Sequence, residues 1–280
     1  MASPTDYRDK RVAIKANYNS ADDFPASSNI DTLSTIIRYL KEDAKAKAVM
    51  LGERSGMGDT KEVLQNRGIF DLAVKLGFQV TVLDELGKRE WTKFQPEGSH
   101  WKRGFLFAKP FLEADSIIQT CCLKTHQFGG HMTMSLKNSV GMVAKVDPSD
   151  SYPYMGELHS SRHQRLMIAE INIAYKPDLV LMDAIKAFTT GGPHEGNTVS
   201  PNLLIAGEDR VAIDAVGVAI LRMFGTTPEI SQGKIQELEQ LKRASELEIG
   251  TCSIDEIELV PVGKGSEKAV EDIRKQLASG

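Results

Sequence analysis

The sequence predicts an α/β fold, an open, mostly parallel sheet with helices on both faces, formed as one domain over residues 1–280. Three observations carry this reading. Strand-like and helix-like segments alternate along the chain. The strand candidates are continuous apolar runs, such as Leu179–Asp183, instead of in-and-out alternations. Between Lys47 and Leu83 a strand, a helix and a second strand fit within ~35 residues, the spacing of a parallel βαβ unit.

Each element follows from its own pattern. Arg11–Ala16 is the first strand, ending in the polar group Lys15, Asn17 and Asn19. Asp31–Glu42 has helical spacing through Leu33, Ile36, Ile37 and Leu40. Lys47–Gly52 is a short apolar strand, and the turn Ser55-Gly56-Met57-Gly58-Asp59-Thr60 leads into a helix over Thr60–Leu76, closed by Gly77. Phe78–Leu83 is a third strand, ending at Asp84 and Glu85. Residues 85–103, with Trp91, Trp101 and many charges, form a surface excursion or hairpin. Ala114–Leu123 is the most strand-like run and belongs at the centre of the sheet. Lys124-Thr125-His126 and a Gly129-Gly130 turn then open a site-bearing insertion near 124–163. Within and after it, Asp147–Gly156 reads as loop, His163–Ala174 as helix and Leu179–Asp183 as buried strand. Thr189–Pro201 is a loop centred on Gly191-Gly192-Pro193, and Leu203–Ala206 a further strand. Arg210–Phe224 is a helix whose small residues let it pack close to the sheet. The remainder is charged and helical, with Ile257–Val260 as an edge strand.

Composition narrows the partners. The net charge of −4 and a pI near 5.9 argue against nucleic acid or an anionic membrane as the main one. Cys121, Cys122 and Cys252 lack CxxC or finger spacing, so no structural zinc or cluster bound by this chain alone is expected. The adjacent pair reads as two small buried hydrophobes. MASPTDYRDK has no apolar leader core and no run approaches a membrane span, so a cytoplasmic location is expected; a homo-oligomer stays open.

In open α/β sheets ligands bind beyond the carboxyl ends of the strands. The strand ends here deliver Lys15 and Asn17, Glu53 and Ser55, Asp84, Lys124 with His126, Asp183, and Glu208 with Asp209. The stretch from Lys124 to Lys145 holds Lys124, His126, His131, Lys137 and Lys145 within 22 residues and no acid. It forms either a solvated basic face or a site for an anionic or carbonyl-bearing ligand, lysine offering charge and histidine a proton acceptor near neutrality. The turn after the second strand either presents amides to an anion or is a tight connection capped by Asp59 or Thr60; it matches neither dinucleotide nor P-loop motifs. His159 and His163, four apart, form a metal pair only if one helix carries both. His163, at a helix start, is read as aimed into the crevice. Ser135 near Lys137 lacks SxxK spacing, and no nucleophile elbow occurs.

At these residues the chain resembles the domain-of-unknown-function 362 family. The matching segments are VAIKANYNS, GERSGMGDT, ADSIIQTCCLKTH, SLKNSVGM, HQRLMIAEIN, KPDLVLMDAIKAFTTGGPHEG and LLIAGEDRVAIDAVG. Carried over, the motif residues are Lys15, Asn17, Lys124, His126, Lys137, Asn138, His163, Asp183, Gly192 and Pro193. Many members of that family look like fusions with a four-cysteine ferredoxin-type segment, which implies redox roles; this chain lacks those cysteines. A fainter resemblance is to lactate racemases, whose lysine and histidines also follow parallel strands.

The expected function is lysine and histidine acid–base chemistry, of lyase or isomerase type, on a small anionic or carbonyl compound. Lys124 and Lys137 hold negative charge, His126 or His163 is the base, Asn138 donates to an oxyanion and Asp183 orients a cation. Lys15, Asn17, Ser55, Gly192 and Pro193 bind substrate. No cofactor is required by the sequence. The alternative is a cofactor- or metal-binding redox partner of an iron–sulfur subunit.

Overall fold

The computed structural model describes residues 5–279; residues 1–4, part of the N-terminal stretch read above, lie outside them. The chain runs β1 (Arg11–Lys15), α1 (Ile30–Arg38), β2 (Ala48–Glu53), α2 (Thr60–Asn66), α3 (Ile69–Leu76) and β3 (Gln79–Val82). A hairpin of β4 (Trp91–Phe94) and β5 (Phe105–Ala108) follows, then α4 (Lys109–Leu112), β6 (Ser116–His126), β7 (His131–Thr133) and α5 (Ser135–Asn138). Next come α6 (Tyr154–Ser160), α7 (Gln164–Ile171), β8 (Leu179–Gly191), β9 (Gly196–Val199) and β10 (Leu203–Gly207). The chain closes with α8 (Arg210–Met223), α9 (Pro228–Ser231), α10 (Glu239–Glu246) and α11 (Ser266–Ser279).

The sheet order is β10-β8-β6-β1-β2-β3, with β7 paired to β6 and β9 to β8, and all contacts from β8 to β3 parallel. Strand alternation sends neighbours to opposite faces. Val12 and Ile14 pack with Leu33 and Ile37 of α1, whereas Ala13 packs with Phe107, Phe111 and Ile168. Cys121, Val180 and Met182 pack with Val211, Ala215 and Val218 of α8. The open, mostly parallel sheet with helices on both faces is therefore present, and β6 is central. No helix among the described residues is long and apolar enough to cross a membrane.

Several local readings change. The helix expected over Thr60–Leu76 is two, broken where Gly68 takes φ +69°; Gly77 does cap the second in the left-handed region. Thr189–Pro201 is no open loop: β8 continues to Gly191 and β9 returns beside it. The expected Asp147–Gly156 loop gives way to α6 at Tyr154, and Ile257–Val260 pairs with no strand. In β6 and β8 polar side chains interrupt the apolar pattern at Lys124 and Asp183, while backbone pairing continues and the strands stay largely buried.

Candidate functional site

The carboxyl ends of β1, β2, β6 and β8 surround a cavity of about 600 Å³. It opens where the topology reverses: β2 and β3 extend to one side of β1, β6 and β8 to the other. Connections leaving β1 and β6 diverge to opposite faces there and leave a crevice. β1 and its extension supply Lys15 and Asn17, β2 supplies Glu53 and then Arg54, and β6 supplies His126. Lys137 and Asn138 come from α5, His159 from α6 and Pro193 from the β8–β9 tip.

Most of the lysines here are already engaged. Lys15 Nζ donates to Glu53 Oε1 at 2.6 Å, Asn138 Oδ1 at 3.2 Å and the Ala16 carbonyl. Lys124, fully buried, donates to Asn17 Oδ1 at 3.0 Å, Pro193 O at 3.2 Å and Ala26 O. Three acceptors consume the three hydrogens of each ammonium. Lys145 pairs with Asp84 at 2.7 Å on the cavity rim. Lys137 differs: it lines the cavity, is 8% exposed, and donates to no partner among the described residues. Burial first, then the charges of Arg54 and Lys124, push its pKa down to about 7.

Two histidines stand nearby. His126 is buried; desolvation, with Lys137 and Lys124 adding to it, holds the ring far below the usual histidine range, and its Nδ1 has no partner. His159 Nδ1 lies 2.7 Å from Met155 O; because a carbonyl only accepts, Nδ1 carries the hydrogen and Nε2 is left as an acceptor. Its pKa is lowered by desolvation, and by Lys137 and Arg54. Arg54, buried, donates to Val140 O and to Met155 Sδ at 3.3 Å, with Nε unpartnered. Glu53 is the one acid lining the cavity among the described residues. The Gly129-Gly130 turn makes room for this group: a Cβ on Gly130 would lie 2.7 Å from Lys137 Cε and 3.0 Å from His126 Nδ1.

The short helix carrying Lys137 is firmly held. Asp214 of α8, fully buried, accepts from the backbone nitrogens of Ser135 and Leu136 at 2.7 and 2.9 Å. Gln119 of β6 donates to Ser135 O at 3.0 Å, and Asn172 to Leu136 O at 3.1 Å.

The structure brings Lys15, Asn17, His126, Lys137, Asn138 and Pro193 to one cavity. Gly192 supports them, its φ of +69° and close approach to Thr125 O leaving no room for a Cβ. Four expectations are corrected. Lys124 does not line the cavity, because β6 runs on to His126 and turns Lys124 toward Asn17 and Ala26. Asp183 orients no cation: β8 continues past it, and its oxygens accept from Thr32 Oγ1 at 2.7 Å and Ile185 N at 3.1 Å. Ser55 is sealed inside, donating to Tyr18 O at 2.6 Å. His163 lies outside the cavity, its ring 4.6 Å from that of His100.

Related readings resolve in the same way. α6 ends at Ser160, so His159 and His163 share no helix face. In the turn after β2, the amides of Gly56 and Met57 bond to Asn19 and that of Ser55 to Thr60, while Asp59 caps α2; none of these faces an anion. Glu208 and Asp209 fall at the opposite edge because β10 is antiparallel, and Asp209 caps α8. Asn138 spends Oδ1 on Lys15 and donates from Nδ2 to Thr120 O at 3.1 Å. Reading strand ends alone passed over Arg54, next to Glu53, and gave His159 no acid–base part.

The family model described as "Domain of unknown function (DUF362)" matches residues 12–219. No curated protein matches the chain. The lactate racemase apoprotein from Thermoanaerobacterium thermosaccharolyticum is a similar solved structure, with a TM-score of 0.46 and 14% identity. That match covers 72% of this chain and 47% of the other, so this chain spans about half of that protein's length. The matched stretch 12–219 holds the whole cavity-lining set, and the chain belongs to the DUF362 family.

Proposed function

We propose that the chain is an enzyme carrying out lysine- and histidine-based acid–base chemistry, of lyase or isomerase type, on a small anionic or carbonyl compound. The observation that supports this most directly is Lys137, a buried amine facing a cavity without an acid partner and with its pKa near 7. Such a group exchanges a proton at neutral pH, which an ordinary lysine does not. Arg54 supplies fixed positive charge for an anionic group. His126 stays neutral and offers a hydrogen bond, and His159 Nε2 accepts a proton. Asn17, whose Nδ2 bonds to nothing among the described residues, is better placed than Asn138 as a neutral donor to a developing oxyanion.

The test is proton exchange at carbon. Small hydroxy and oxo acids are incubated with the protein in D2O and followed by proton NMR. Exchange that falls by roughly 10² or more in folded Lys137→Met supports the reading; unchanged exchange in that variant ends it. Metal analysis and an absorption spectrum of the purified protein address the redox-partner alternative.

A further inference from the structure

We propose that Lys137 is a nucleophile that forms an imine, and that the cavity takes aldehydes or ketones bearing a neighbouring anionic group. The inference rests on the acid–base reading above and narrows its substrate class. It begins from a contrast among neighbouring amines. Lys15 and Lys124 each give all three hydrogens to protein acceptors, and Lys145 sits in an ion pair. Lys137 alone of these four has neither an acceptor nor a counter-ion among the described residues. An amine whose task is structural charge would be paired as they are. One kept unpaired has a lone pair to use.

The surroundings fit that use. Gly130, having no side chain, lets Lys137 Cε and His126 Nδ1 pack against its backbone, where a Cβ would lie 2.7 and 3.0 Å from them. Arg54 lines the same cavity and forms no ion pair among the described residues, so a carboxylate held by its charge brings an adjacent carbonyl toward the amine. Attack of the neutral amine on the carbonyl carbon forms the C–N bond, and the carbonyl π pair moves to oxygen. That oxygen takes up a proton as the nitrogen gives one up, yielding a carbinolamine. Loss of the hydroxyl as water, with one further proton, leaves a protonated imine. His159 Nε2 is the acceptor available to carry the proton between nitrogen and oxygen. The cationic imine then withdraws electrons from the neighbouring C–H or C–C bond, the step that lyases and isomerases need. With a pKa near 7, about half of Lys137 is neutral at pH 7, a fraction on the order of 10³ above that of a solvent-exposed lysine.

The full chain is incubated at pH 7 with glyoxylate, pyruvate or pyridoxal 5′-phosphate in the presence of cyanoborohydride, which reduces an imine to a stable secondary amine. Adducts are mapped by peptide mass spectrometry. The expected result is one dominant adduct at Lys137, at least ~10² above any other lysine given the neutral fractions, and absent from folded Lys137→Met. An adduct spread evenly over exposed lysines overturns the proposal. Calorimetry with lactate, which has the carboxylate but no carbonyl, separates the two failures. Lactate bound with no Lys137 adduct removes the imine and leaves proton transfer standing. No binding and no adduct removes both.

Discussion

A lysine ammonium buried without a partner costs the fold several kcal/mol, which the protein reduces by releasing the proton. For Lys137 the folded pKa of about 7 lies below the ordinary 10.5. Between those values the unfolded chain holds a proton that the folded chain lacks, so stability rises with pH through that window. The full cost, on the order of 5 kcal/mol, is present below pH 7. Lys137→Met should therefore raise the Tm at pH 6 and raise it much less near pH 11, while abolishing turnover. Thermal melts at both pH values check this, and an equal shift at the two would contradict it. Gly130→Ala should act in the opposite sense. Its Cβ enters the space beside Lys137 Cε and His126 Nδ1, so ligand affinity should fall by at least tenfold, with a stability cost of about 1–3 kcal/mol.

At the scale of elements, α5 spans only four residues and owes its place to side chains that clamp its backbone. Asp214 is the strongest clamp, each oxygen taking one backbone N–H. Asp214→Asn keeps one acceptor oxygen and leaves one of those two buried groups unpaired, at a cost of about 1–3 kcal/mol. Turnover should fall with it because Lys137 rides on this turn; a variant with lower Tm and full activity would show that α5 needs no such anchor. Nothing in the sequence around Asp214 announces this, since its partners lie about eighty positions away in the chain. Legibility followed the apolar pattern. β1 and β2 read plainly because their middles are buried and apolar, and Lys15 and Asn17 fall at the carboxyl end of β1 and just beyond it. β6 and β8 extend beyond their apolar runs to line the cavity and hold the tip loop, where polar side chains are useful. A polar side chain interrupts the apolar pattern at each of Lys124 and Asp183, so the pattern ends both strands there although each residue lies inside its strand. Lys137 and His126 were legible from the acid-free basic stretch, whereas pairing Arg54 with them required knowing how the sheet folds β2 beside β1.

Across the whole molecule the charge distribution is lopsided. The chain carries −4 overall, yet the crevice between β1 and β6 gathers cations around a single lining acid. Glu53 neutralises Lys15, and Asp84 neutralises Lys145, which leaves Arg54 at the wall, Lys124 just behind it and Lys137 whenever it is protonated. Buried charge of one sign is costly until a counter-charge arrives, so an anion binding here relieves an existing penalty as well as making new contacts. A carboxylate held at one fixed concentration, a hundred times its Kd at pH 7, should stabilise the fold there by about 2.7 kcal/mol. The gain should be larger at pH 6, where Lys137 is protonated, than at pH 9, where it is neutral. Arg54→Met should remove most of the gain at both values, since it deletes the wall cation that has no ion-pair partner among the described residues and stays charged throughout. Melts with and without 2-oxo acids, at matched ionic strength set with chloride, read this directly. A stabilisation that ignores pH, or survives Arg54→Met, would place the anion somewhere other than the crevice between β1 and β6, and the chemistry would have to follow it there.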